Sequence, residues 1–111
     1  MTTFSDIVGL LDAAVNNGDI QAHGPFWRTQ SRDDFVQFQV FGQIPLIAKD
    51  NAGNFDPDNS NLVKALEGRA PFGRDIGTPG ARFPRMPVGF PAMAAADIQV
   101  IRDWISQGCP A

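Results

Sequence analysis

The sequence predicts an all-α fold, with one helix at each end, two short helices between them and a long loop rich in proline and glycine. Apolar residues recur at helical spacing in both terminal segments, and capping residues precede the middle segments. The 111 residues are enough for a single domain, residues 1–111, with one modest hydrophobic core.

The N-terminal helix is predicted over about residues 4–17. Thr3 and Asp6 form a variant of the capping box, in which each of two residues satisfies a backbone amide of the other. Residues 16–18, Asn-Asn-Gly, are typical of a helix end. Apolar side chains between these signals follow helical spacing: Phe4, Ile7, Val8, Leu11 and Val15.

Two short middle helices are predicted from capping residues. Ser31 and Asp34 form a second capping-box variant before the apolar run 35–41. That run also fits the alternation of a strand, but the preceding cap favours a helix. Residues 49–61 are turn formers throughout. Asn59 or Ser60 then caps a helix over residues 62–67, and Gly68 closes it.

The rest of the chain, from residue 69 onward, is predicted to be a loop followed by a helix. Residues 69–93 contain five prolines and four glycines, and a loop of this length in a small domain is usually functional. The last helix covers about residues 97–107, with Asp97 in its first turn. Its apolar face consists of Ile98, Ile101, Trp104 and Ile105.

Composition excludes several classes of function. A net charge of −3 argues against a nucleic-acid partner, and no apolar run approaches the ~20 residues of a membrane span. The first residues lack the features of a signal peptide, so a cytoplasmic location is expected. Cys109 is the single cysteine, which rules out an internal disulfide; packing at the helix end is favoured over a reactive thiol or a dimer link.

Two motifs resemble the haem-binding elements of a class I cytochrome c. Residues 19–24 have the spacing of Cys-x-x-Cys-His-Gly, but Asp19 and Ala22 stand at the cysteine positions before His23. Residues 85–89, Arg-Met-Pro-Val-Gly, are similar to the segment that carries the methionine ligand. The chain therefore resembles a small bacterial cytochrome c-like domain that lacks the attachment cysteines.

The C-terminal half carries the larger part of this resemblance. Residues 62–68 (Leu-Val-Lys-Ala-Leu-Glu-Gly) and 97–108 (Asp-Ile-Gln-Val-Ile-Arg-Asp-Trp-Ile-Ser-Gln-Gly) are similar to helices of that family. The resemblance implies that the N- and C-terminal helices cross. Their crossing is expected to bring Leu11 or Val15 near Ile101 or Trp104.

The resemblance also implies a set of site residues. His23 and Met86 are the axial ligands if haem is bound, with Met93 as a weaker alternative to Met86. Phe26 and Trp27 line the porphyrin, or fill its volume when haem is absent. If haem is bound, Arg85 pairs with a propionate, together with the other loop arginines, Arg69, Arg74 and Arg82. Without haem, these arginines form a basic face suited to an acidic partner.

Two functions remain open at this point. The favoured one is a haemless interaction or accessory module, without a cofactor, that binds a protein partner through the loop and the face around His23. An oxidoreductase is one candidate partner. The alternative is an electron-transfer protein that holds haem non-covalently between His23 and Met86. An enzyme is not expected, since the single histidine has no identifiable nucleophile partner.

Overall fold

The fold combines four helices with two small β-hairpins in the described part of the chain. The computed structural model describes residues 2–15, 26–28, 30–40, 44–86 and 93–111. Single 3₁₀ turns cover Phe26–Arg28 and Arg74–Ile76. The other elements, in chain order, are α1 Phe4–Ala14, α2 Arg32–Gln37, β1 Gln39–Val40, β2 Ile44–Pro45, β3 Ala48–Lys49, β4 Phe55–Asp56, α3 Asn61–Glu67 and α4 Ala95–Ser106.

The prediction of an all-α, cytochrome c-like fold is wrong, because two antiparallel hairpins lie between α2 and α3. β1 pairs with β2, and β3 pairs with β4. The Ser31 hydroxyl caps α2 as predicted, accepting from the Asp34 amide at 3.2 Å. The chain then turns extended at Phe38, whose ψ is 138°. The cap therefore determines the start of α2, and pairing with β2 follows at Gln39 and Val40.

The second hairpin is closed by an aspartate turn. The Asp50 Oδ1 atom accepts hydrogen bonds from the backbone amides of Ala52 (2.9 Å) and Asn54 (3.0 Å). Gly53 adopts a positive φ of 85°, which a residue without a Cβ does without strain. The turn predicted in this segment is therefore present, but it connects two strands that the sequence does not predict.

Ser60 joins the second hairpin to α3. It occupies the N-cap position of α3, as predicted, but its side chain does not cap that helix. The buried hydroxyl instead donates to the Asp56 carbonyl at 2.7 Å and accepts from the Ala48 amide at 2.9 Å. Gly68 ends α3 in the left-handed conformation, also as predicted.

The first and last helices meet in one aromatic core. The fully buried ring of Trp104 lies 6.2 Å from the Phe4 ring and 6.1 Å from the Phe35 ring, measured between centroids. Leu11 and Val15 are buried in the same cluster. The contact between α1 and α4 that the rings define is therefore through Phe4, at the start of α1.

The backbone after α4 is held by three other parts of the chain. Arg32 donates from Nε to the Cys109 carbonyl at 2.6 Å and from Nη2 to the Gly108 carbonyl at 2.8 Å. The Pro110 carbonyl accepts from Trp104 Nε1 at 2.8 Å and from the Phe4 amide at 3.0 Å. We call residues 108–110 the C-terminal turn.

Cys109 is a packing residue of this turn. Its side chain is fully buried in the core cluster. Burial disfavours the charged thiolate and raises the pKa of the thiol to about 11, and the nearby Arg32 charge offsets this only in part. Because the thiolate is the reactive form, the buried thiol is poorly suited to chemistry near neutral pH.

The helices in the described ranges also bear on the membrane question. None of them has both the length and the apolar character that a membrane-crossing segment requires.

Candidate functional site

Of the two residues predicted as axial ligands, the structure describes Met86 but not His23. His23 lies outside the described residues. Met86 is partly buried, packs against the hydrophobic core and donates its backbone amide to the Ala65 carbonyl at 2.9 Å. This bond ties the chain at Met86 to α3.

Trp27 lies in the core, held by a residue that the sequence analysis missed. Its side chain is only 4% exposed, and its Nε1 donates to the Asp12 carboxylate of α1 at 2.8 Å. Arg28 Nε donates to the same oxygen at 2.6 Å. The 3₁₀ turn is thus tied to α1, while the Phe26 side chain lies outside the described part. Nothing in the spacing of α1 distinguishes Asp12 from an ordinary exposed acid.

Replacing Asp12 by asparagine tests this link through its pH dependence. Hydrogen bonds from Arg28 and Trp27 lower the pKa of Asp12 below its usual 3.8. A folded-state pKa below the unfolded value adds stability above that unfolded value, and this stability is lost as the pH falls through the folded pKa. Urea unfolding should therefore show Asp12→Asn to be less stable than wild type at pH 7, with the difference shrinking below about pH 4. A constant difference across the acid range would contradict the link.

The segment 68–86, which we call the arginine loop, is held together by its own backbone. The Pro71 carbonyl accepts from the amides of Arg82 (2.8 Å) and Phe83 (2.9 Å), and the Phe83 carbonyl accepts from the Arg74 amide at 2.9 Å. The rings of Phe72 and Phe83 pack with centroids 5.6 Å apart. The loop therefore has a defined shape although it contains no long helix or strand.

Two side chains complete this shape. The Thr78 hydroxyl donates to the Gly68 carbonyl at 2.7 Å. Asp75, the single acid of the loop, accepts the Arg85 backbone amide at 2.8 Å. The Asp75 carboxylate thus serves the loop backbone, and no ion pair between it and a loop arginine forms in the described part of the chain.

Arg69 differs from the other arginines of the loop. Its Nε lies 2.7 Å from a Glu67 carboxylate oxygen, and its Nη2 donates to the Asp58 carbonyl. Arg102 of α4 joins the same cluster through ion pairs with the carboxylates of Glu67 and Asp58. Arg69 therefore belongs to this ion-pair network, although its position in the sequence groups it with the loop arginines.

The other three loop arginines lack such partners in the described part of the chain: Arg74 and Arg82 are exposed, and Arg85 is half-buried. Within the described ranges, no carboxylate pairs with Arg74, Arg82 or Arg85. Among the described residues, Ile76 is the one large hydrophobic side chain that is exposed, with 49% of its surface accessible to solvent. A Cβ built on Gly68 would lie 2.7 Å from Ile76 Cδ1 and 3.2 Å from Arg85 Cδ, so these two side chains share one patch above Gly68.

The arrangement offers charge and an apolar contact rather than a ligand set for a metal ion. Among the described residues, no three histidine, cysteine, aspartate or glutamate side chains converge. Of the residues assigned to haem, the structure describes Trp27, Met86, Met93 and the four loop arginines. Trp27 and Met93 are buried in the core cluster, whereas Arg85 is half-buried beside Ile76.

Comparisons with protein-family models, with curated proteins and with solved structures give no match to this chain. The resemblance to class I cytochromes c therefore stays a prediction that rests on the motifs in the sequence.

Proposed function

We propose that this protein is a haemless, non-catalytic interaction module that binds an acidic surface of a protein partner through the arginine loop. The observation that carries the proposal is that Arg74, Arg82 and Arg85 of this loop have no carboxylate partner in the described residues, while Ile76 of the same loop is exposed. The chain as a whole has a net charge of −3, so this basic patch is set against an acidic background.

The patch has the composition of an interface centre. Binding energy at protein interfaces concentrates in a few residues, and arginine is enriched among them. Ile76 is about half exposed, so a partner that covers it gains about half of the roughly 1.5–3 kcal/mol that a fully exposed side chain of this size contributes. The loop arginines supply charge-assisted hydrogen bonds to carboxylates.

The internal bonds of the loop favour binding as well. The Thr78 hydroxyl donates to the Gly68 carbonyl at the start of the loop, and the Asp75 carboxylate accepts from the Arg85 amide near its end. A surface that is already ordered loses less conformational entropy when a partner binds, and more of the contact energy appears as affinity. Charge complementarity adds orientation and a faster association rate, both of which weaken with salt.

The burial of Trp27 supports the haemless form of this proposal. In a haemless domain, protein side chains must fill the volume that a porphyrin would occupy, since a large apolar void is costly. Trp27 is buried in the core cluster and fixed by Asp12. A haemin titration tests this directly. A saturable, sharp Soret band that disappears in both His23→Ala and Met86→Ala would replace the proposal with a non-covalent His/Met electron carrier.

The interaction itself is tested by affinity capture from cells with single charge changes. Arg74→Gln and Arg82→Gln should each reduce recovery of the partner about threefold to tenfold, and more strongly at low salt, because each removes one attractive charge. Lys49→Gln is the matched control, since it removes the same charge from an exposed residue of β3 outside the loop. Equal loss in all three variants, or no loss in any, would contradict the proposal.

A further inference from the structure

The arginine loop carries one fixed negative charge among its positive ones. Asp75 is the single acid of residues 68–86, in a segment whose arginines at positions 74, 82 and 85 have no carboxylate partner within the described ranges. An acid weakens the attraction of a basic surface for anions, and it does so unequally for anions of different charge density. Asp75 therefore bears on which kind of anion the loop binds.

Backbone hydrogen bonds place this acid among the arginines. The Arg74 amide donates to the Phe83 carbonyl at 2.9 Å, which brings Arg74 beside the segment that carries Arg82 and Arg85. Asp75 follows Arg74 directly, and its Oδ1 atom accepts the Arg85 amide at 2.8 Å. The carboxylate is thus fixed at the backbone of one loop arginine and one residue away from another.

The charge of Asp75 is exposed and is not neutralised by a guanidinium. The side chain is exposed, and within the described part of the chain it forms no ion pair. Glu67, at the start of the same region, is paired with both Arg69 and Arg102. The Asp75 carboxylate therefore repels an anion that approaches the loop, and the repulsion grows with the charge placed near it.

We propose that Asp75 determines the specificity of the arginine loop, which favours a peptide segment with a few spaced carboxylates over a phosphate polyanion. This inference rests on the proposed function and names the chemistry of the partner. In such a peptide, a neutral residue can lie opposite Asp75 while the carboxylates pair with the arginines. A nucleic-acid strand carries a phosphate at every nucleotide, so a phosphate lies near Asp75 in every register.

Ile76 favours the same kind of partner. It follows Asp75 in the chain and is about half exposed. An apolar side chain of a peptide can cover it and exclude water, whereas a phosphate gains no hydrogen bond from it. The expected partner segment therefore combines spaced acidic residues with an apolar one.

The experiment measures the affinity of the whole chain for two labelled probes by fluorescence anisotropy at low salt. One probe is a short peptide with glutamates separated by serines and a leucine at its centre; the other is an oligothymidylate of equal total charge. Wild type should bind the peptide more tightly. Asp75→Asn keeps an oxygen for the Arg85 amide but removes the charge, and it should raise affinity for the oligonucleotide about tenfold and for the peptide at most about threefold. Both gains should shrink at high salt.

Asp50→Asn is the matched control. Asp50 is also an exposed acid that accepts backbone amides in a turn, but it lies in the second hairpin, outside the loop. The variant changes the net charge equally and should leave both affinities within about twofold of wild type. If Asp75 only orders the loop backbone, Asp75→Asn should bind both probes as wild type does.

The outcomes separate this inference from the function on which it rests. Equal gains for the two probes, no gain for either, or tighter binding of the oligonucleotide by wild type would overturn the role of Asp75. The proposed function still stands in the first two cases if Arg74→Gln weakens peptide binding. Peptide binding that is absent, or that Arg74→Gln leaves unchanged, would contradict the proposed function itself.

Discussion

Replacing Trp104 by alanine should cost about 3–5 kcal/mol of folding free energy, the range for a buried aromatic truncated to alanine. The ring is fully buried between Phe4 and Phe35, and its Nε1 holds the Pro110 carbonyl. Small domains have roughly 5–15 kcal/mol in total, so the variant should be close to unfolded at room temperature. Denaturant unfolding followed by circular dichroism measures the loss.

Two companion variants sharpen this result. Trp104→Phe keeps much of the ring volume but removes the Nε1 donor, and it should lose less than the alanine variant. Gln99→Ala changes an exposed residue of the same helix and should stay within about 0.5 kcal/mol. A loss under about 1 kcal/mol for Trp104→Ala would place the side chain at the surface and contradict the core described above.

Replacing Gly73 by alanine should disrupt the arginine loop. Gly73 has a φ of 98°, and a Cβ there would lie 2.2 Å from the Gly68 carbonyl oxygen and 2.3 Å from Thr78 Oγ1. The left-handed conformation costs a non-glycine residue about 1–2 kcal/mol, and overpacking adds about 1–3 kcal/mol. We expect a loss of about 3 kcal/mol in urea unfolding, together with weaker capture of the acidic partner.

Gly77 provides the matched control. It has a similar φ of 80°, but a Cβ there would meet nothing within 4 Å. Gly77→Ala should therefore show the backbone strain alone, about 1–2 kcal/mol, with less effect on partner capture. If the two variants lose the same stability, the close approach of Gly73 to Gly68 does not constrain the loop.

Helical parts of the fold follow from local signals, and the strands do not. The residues of α3 between Ser60 and Gly68 carry their own start and stop, and the structure keeps both ends. Each strand has only two residues. A segment this short cannot show whether its apolar residues alternate as in a strand or recur at helical spacing. Their pairing depends on partners outside the strands, such as the Ser60 hydroxyl between Ala48 and Asp56. A reading of one segment at a time cannot supply such contacts.

The candidate site, too, is predictable from the sequence only in part. The concentration of arginine in residues 69–93 is visible in the sequence, and it indicates the basic loop. That Arg69 turns to Glu67, whereas Asp75 turns to the backbone of Arg85, depends on how the loop folds. The partnership of Asp12 with Trp27 spans fifteen positions and two elements, so only the assembled core brings the two together.

The hydrogen bond between the Phe4 amide and the Pro110 carbonyl joins the first helix of the fold to its C-terminal turn. Helix ends usually fray first, because their outermost amides are the least protected. Here the first turn of α1 can open only if the C-terminal turn loosens too, and Arg32 and Trp104 oppose that opening. Amide hydrogen exchange at Phe4 and Cys109 should therefore be slow and of similar free energy, so that the two ends of the fold open as one unit.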